Sequence, residues 1–261
     1  MTYVFYHFSP SKPACIISIL CYGISTIYHV YQLVQLKCYF FTTFVIGATM
    51  MTIGYIARII SANDTTSMSP YIAQSICILL PPSLYAATIY MIYGRIVIFT
   101  REPRLSPISP YKVTKIFVIG DAIAFLTQSS GGGMMAIKDM ADMGQKITIV
   151  GLFVQLGFFG LFLTVTLVFV KRLKNRGKDR VLVSKVDRLL FVLLGVAALI
   201  IARCVYRIVE FVEGNDGYLM GHEVFMYVFD TLPMFVVQSV FHLFHPGRVL
   251  VEKTEYIDIG V

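Results

Sequence analysis

Seven stretches of this chain are apolar over a length that crosses a bilayer, and that feature constrains the fold more than any other. They lie near residues 14–36, 39–61, 71–99, 114–136, 147–170, 189–210 and 223–243, each meeting the requirement of about 20 residues for a spanning helix. Hydrocarbon offers no partner for backbone N–H and C=O groups, so such segments must satisfy them internally as helices. The 261 residues are 57% hydrophobic and 14% charged, well outside the range of soluble domains. The expected fold is all-α: one seven-helix transmembrane domain over residues 1–248, followed by a short cytoplasmic tail at 249–261.

The placement of cations orients it. The net charge of +7 would suggest nucleic acid if it were spread over a surface, but eight Lys and Arg fall between Lys171 and Arg188 and four between Arg101 and Lys115. Lys37, Arg248 and Lys253 join them on one predicted side, against Lys12, Lys138 and Lys146 on the other. The positive-inside rule then puts the N-terminus outside and the C-terminus in the cytoplasm. The run Lys171–Arg180 reads first as this topological anchor, with an anionic-lipid site as the sharper alternative. No partner among nucleic acids is expected. Asn63, with Asp64 and Thr65, forms a glycosylation acceptor in a predicted outer loop. The five cysteines sit in or beside spans and show no disulfide framework.

Chemistry concentrates where charge enters the apolar segments. Arg203, Arg207 and Glu210 recur at i, i+4 and i+7, and Glu223, Tyr227 and Asp230 repeat that interval in the next segment, so each set forms one helical stripe. An ionised side chain at a helix centre costs about 2.5 to 3.5 kcal/mol. The five charged positions therefore need partners, and their depth from the connecting loop pairs Arg203 with Asp230 and Arg207 with Glu223. Arg58 ends the second segment within snorkelling reach of its surface. Asp121 lies about two turns inside the fourth, with Gln128 on the same face; it is either a packing acid or part of a substrate or proton passage. Pro81 and Pro82 should kink the third segment. The glycines at 131–133 read as a flexible helix end, lacking the lysine of a phosphate loop. His29 reads as an interfacial histidine.

Taken in order, IGYIAR (53–58), Gln74 with LLPPSLYAATIYMIYGRI, IFVIGDAIAFLTQSSGGG (116–133), GLFVQ (151–155), RCVYRIVE, HEVFMYVFD and HPGR resemble the fungal lipid-translocating exporter family, also called RTA-like or resistance-to-aminocholesterol. The resemblance covers about residues 10–250. It implies a plasma-membrane protein that moves sphingoid bases or sterol-like compounds, with membrane lipids and amphiphilic small molecules as its partners; the residues themselves lead us to expect no cofactor and no enzymatic activity. It also carries the family's polar positions onto Arg58, Gln74, Asp121, Gln128, Arg203, Arg207, Glu210, Glu223 and Asp230. One departure stands out: Met51 occupies a place where the family commonly has glutamate. A seven-helix receptor or sensor is the alternative. An intramembrane lipid hydrolase fits less well, because the five histidines are scattered along the chain.

Overall fold

In a computed structural model the described residues are 11–63, 68–135, 138–175, 180–214 and 217–250, and among them every regular element is helical. The long helices are α1 (Lys12–Leu36), α2 (Thr42–Asn63), α3 (Met68–Leu79), α4 (Pro81–Phe99), α5 (Pro110–Met135), α6 (Ala141–Asn175) and α7 (Arg180–Glu213). Two short helices, α8 (Tyr218–Gly221) and α9 (Glu223–Met226), lead into a π-helical turn at Tyr227–Thr231, then α10 (Leu232–Leu243) and α11 (Gly247–Leu250). Six units are long and apolar enough to cross a membrane: Lys12–Leu36, Tyr39–Asn63, Ser69–Phe99, Ala141–Asn175, Val186–Glu213 and Glu223–Leu250. The seventh expected span corresponds to α5. At 26 residues it is about 39 Å long, but Asp121, Gln128 and neighbouring hydroxyls and glycines lower its apolarity below that of the six.

The third unit is broken where the sequence predicts it. Pro81 and Pro82 begin α4 directly after Leu80, and neither can donate to a carbonyl one turn earlier. The chain bends without losing its course, because Ser83 N and Leu84 N both bond Leu80 O. The last unit is broken too, at Tyr227–Thr231. Pro233 has no N–H to bond the carbonyl four residues back, and a π turn with one extra residue takes up the mismatch.

Aromatic rings fill the centre. Phe44, Tyr85 and Phe241 meet from α2, α4 and α10, and Tyr90, Phe117 and Phe162 meet from α4, α5 and α6. By contrast Ile24, Ile27 and Val34 of α1, and Leu126 of α5, are exposed, as side chains facing lipid would be. His29 is fully buried against Phe44 and His242, which corrects the interfacial reading: α1 turns its polar face inward, leaving its apolar one outside.

The α5–α6 contact explains the glycines. A Cβ on Gly131 would lie 2.6 Å from Gly144 O and 2.7 Å from Thr148 N, and one on Gly151 would lie 2.9 Å from Ala124 O. The two backbones touch there, a use of glycine typical of membrane helix pairs. Gly131 is thus a packing residue inside α5 rather than part of a loose end, whereas Gly132 and Gly133 meet nothing. Gly131→Leu should therefore destabilise the protein by about 1–3 kcal/mol or more, the usual range for overpacking, while Gly132→Ala leaves it unchanged or slightly more stable. Thermal unfolding of the detergent-purified variants reads the difference.

Candidate functional site

The break in α9–α10 aims an acid at two arginines. Asp230 lies in the π turn, 1% exposed, with Oδ1 accepting from Arg203 Nε and Oδ2 from Arg207 Nη2. Both arginines lie on α7, one turn apart. Arg203 also donates from Nη2 to Ile78 O at 3.4 Å, the carbonyl that Pro82 leaves without its helical donor. A proline break in one helix and a π turn in another thus converge on one guanidinium.

Arg207 further donates to Glu210 Oε2 at 2.8 Å, and Tyr206 OH donates to Glu210 Oε1 at 3.0 Å. Glu223 is held elsewhere. Its Oε1 accepts from Arg58 Nη2 at 2.8 Å and its Oε2 from Ser11 N at 2.7 Å. The expected Arg203–Asp230 pair is present; the expected Arg207–Glu223 pair is not. Its failure has a geometric cause: the π turn shifts the phase of the last unit, so Glu223 faces α2 while Asp230 faces α7 and takes both arginines.

Of these groups Arg58, Arg207, Glu210 and Glu223 border a cavity of about 150 Å³ whose polar lining also includes Gln74 and Ser75, with Ile78, Leu79, Phe211 and Met226 as apolar walls. Three arginines face three acids in the cluster, so the fixed charge around it balances. Beside it the acceptor Gln74 Oε1 and the donor Arg207 Nε are buried without a protein partner. Buried polar atoms are normally paired, so these two are exceptions beside the cavity.

From Asp230 a second run of polar side chains continues along α10 toward its other end. Thr231 Oγ1 bonds Tyr55 OH at 2.5 Å and Thr231 O accepts from Tyr22 OH at 2.6 Å. Gln238 Nε2 donates to Tyr85 OH at 2.6 Å, Gln238 Oε1 accepts from Ser25 Oγ at 2.6 Å, and Ser25 Oγ bonds His242 Nε2 at 2.8 Å. From Glu223 to His242 this is about 28 Å of helix rise, close to the hydrocarbon thickness. Tyr22, Ser25, Tyr55, Tyr85, Gln238 and His242 were not singled out from the sequence. The available signal was Pro233, whose position in the middle of a span points to a break beside Asp230.

Asp121 and Gln128 do not join the arginine cluster. Tyr90 OH donates to Asp121 Oδ2 at 2.8 Å, and Gln128 Nε2 donates to Gln155 Oε1 at 2.9 Å, which in turn reaches Ser83. Asp121 thus meets α4, and Gln128 meets α6 and through it α4, so the nine polar positions form two groups. Met51 is fully buried in α2. Asn63 is exposed at the end of α2, and the rest of its acceptor motif lies outside the described residues, as do 176–179 of the basic run and 251–261 of the tail.

The family model described as "RTA1 like protein" matches residues 44–253. The chain belongs to the RTA1-like family. Protoporphyrin uptake protein 1 of Saccharomyces cerevisiae is 34% identical, covering 92% of this chain and 91% of that protein. Protein RTA1 of the same yeast is 37% identical over 78% of this chain, a match spanning 64% of the relative's own length. The yeast sphingoid long-chain base transporter RSB1 is 27% identical over 92% of the chain and 73% of the relative. No solved structure matches. Six apolar helices and membership of the RTA1-like family make this an integral membrane protein.

The ion pairs can be tested against the alternative pairing. A double-mutant cycle of Arg58→Gln with Glu223→Gln should give a coupling of about 1–3 kcal/mol, while Arg207→Gln with Glu223→Gln should add within about 0.5 kcal/mol. Asp230→Asn, which strands two buried arginines, should cost about 3–5 kcal/mol. Thermal unfolding of purified variants measures all three.

Proposed function

We propose that the protein moves amphiphilic lipids, sphingoid bases or sterol-like compounds among them, from one leaflet to the other. The observation that carries this reading is the polar seam from the Glu223 cavity past Asp230 to His242. An amphiphile crosses a bilayer only if its head group avoids bare hydrocarbon, and a seam beside exposed apolar helix faces lets the head follow protein while the chain stays in lipid. Its paired charges keep it passable, since an unpaired arginine or carboxylate would bind an opposite head group tightly and hold it. The names of two relatives, one a sphingoid base transporter and one a protoporphyrin uptake protein, support transport of amphiphiles.

In this reading α5 is a seventh span, packed between α4 and α6, with the N-terminus outside and the basic loops in the cytoplasm of a fungal plasma membrane. The cavity at Gln74 is then the outer mouth of the lane, and Arg58, Arg203, Arg207, Glu210, Glu223 and Asp230 line its first half. Gln74 Oε1 and Arg207 Nε supply the acceptor and donor that an amino-alcohol head group would use. Met51 removes an acid from α2, which favours neutral or singly charged heads over strongly cationic ones.

Liposomes containing the purified protein should move a fluorescent sphingoid base between leaflets at equal pH on both sides, and Gln74→Leu should slow this by about three- to tenfold, the worth of one hydrogen bond. Movement no faster than in protein-free liposomes would remove the reading.

A further inference from the structure

A lane lets lipid run downhill; export against a gradient needs a source of energy, and the second polar group offers one. Asp121 is 3% exposed in α5. Tyr90 OH donates to its Oδ2, and its Oδ1 is buried with no partner. Its surroundings hold no counter-charge among the described residues. From α4 it faces the Tyr90 phenol, and from α7 the Cys204 thiol lies within electrostatic reach of both. α6 contributes aromatic rings here, Phe159 and Phe162 around Tyr90 and Phe158 against Gly120. Arg203 and Arg207 of α7 are taken up by Asp230 and Glu210.

The two deepest acids therefore sit in opposite environments. Asp230 lies between two guanidinium groups, whereas an ionised Asp121 would be a buried charge with one neutral donor. Paired environments of this kind divide acids into a fixed charge and an exchangeable proton, and intramembrane acids commonly serve proton passage. We propose that Asp121 is a proton-binding site, occupied in the conformation described here, and that its discharge accompanies lipid movement, so that the proton gradient drives export. This rests on the transport reading above. The step is an exchange of H⁺ with water: an O–H bond forms at a carboxyl oxygen of Asp121 when the proton is taken up, and breaks when it leaves on the other side.

α7 is the physical link. Arg203 lies on the face toward Asp230 and the next residue, Cys204, lies toward Asp121 and Tyr90. A charge appearing on Asp121 would draw on the same helix that anchors the lane, and a shift of α7 would alter both.

Infrared difference spectra of the full chain in lipid bilayers should show a protonated carboxyl band at neutral pH that is absent in Asp121→Asn. In Tyr90→Phe, where the donor that favours the ionised form is gone, the band should persist to higher pH. In liposomes with a trapped pH dye, sphingoid base movement should carry protons in the wild type, and this flux should fall at least about tenfold in Asp121→Asn and return in Asp121→Glu. A band unchanged by Asp121→Asn, or lipid movement indifferent to a pH gradient with no proton flux, overturns the proposal while leaving the lane intact. Absence of any lipid movement at equal pH removes the lane instead and with it the coupling, whatever the infrared band shows.

Discussion

The shared carboxylate of Asp230 is the contact on which the polar interior depends. Two guanidinium groups on successive turns of α7 would repel each other and resist leaving water. One acid between them, with Glu210 beside Arg207, leaves a cluster whose charges cancel locally. Ion pairs of this kind are weak sources of stability because desolvation offsets much of their attraction, yet removing one member is costly. The cluster is therefore better understood as fixing how α7 meets the last unit than as a source of net stability. That relation places the Gln74 cavity on one side and the Thr231–Tyr55 contact on the other.

Two helix breaks make the cluster possible. A regular helix consumes its own carbonyls and keeps a fixed phase, so it offers neither a free acceptor nor an off-register side chain. Pro82 frees Ile78 O for Arg203, and the π turn rotates Asp230 away from the direction of Glu223. Broken helices in membranes occur where protein covers the freed groups, and here an arginine does the covering. π turns are often found at functional positions, which agrees with the cavity beside this one.

The glycine contacts of α5 and α6 serve a different end. By bringing two backbones together through Gly131, Gly144 and Gly151, they make α5 a rigid neighbour of α6 and hold Asp121 and Gln128 against α4. Asp121 bonds Tyr90 of α4 and lies toward Cys204 of α7, while Arg203 and Arg207 of that same helix bond Asp230. That one buried acid bonds two arginines and the other a neutral phenol follows from helix placement.

Apolar length determined from the sequence alone that the chain is helical and membrane-bound, because hydrocarbon leaves the backbone no other choice. Helical spacing likewise grouped Arg203, Arg207 and Glu210, and paired Arg203 with Asp230 by depth, since rise per residue is nearly constant. The rest needed tertiary structure. Depth arithmetic assumes a continuous helix, and the π turn before Pro233 broke that assumption, sending Glu223 to Arg58. Spacing also says which residues share a face but not which helix that face meets, so Tyr22, Tyr55, Tyr85, Gln238 and His242 became one seam only when α1, α2, α4 and α10 were brought together. The same limit hid the division of Asp121 from Asp230: two acids alike in sequence differ because one packs against arginines and the other against phenol, thiol and aromatic rings.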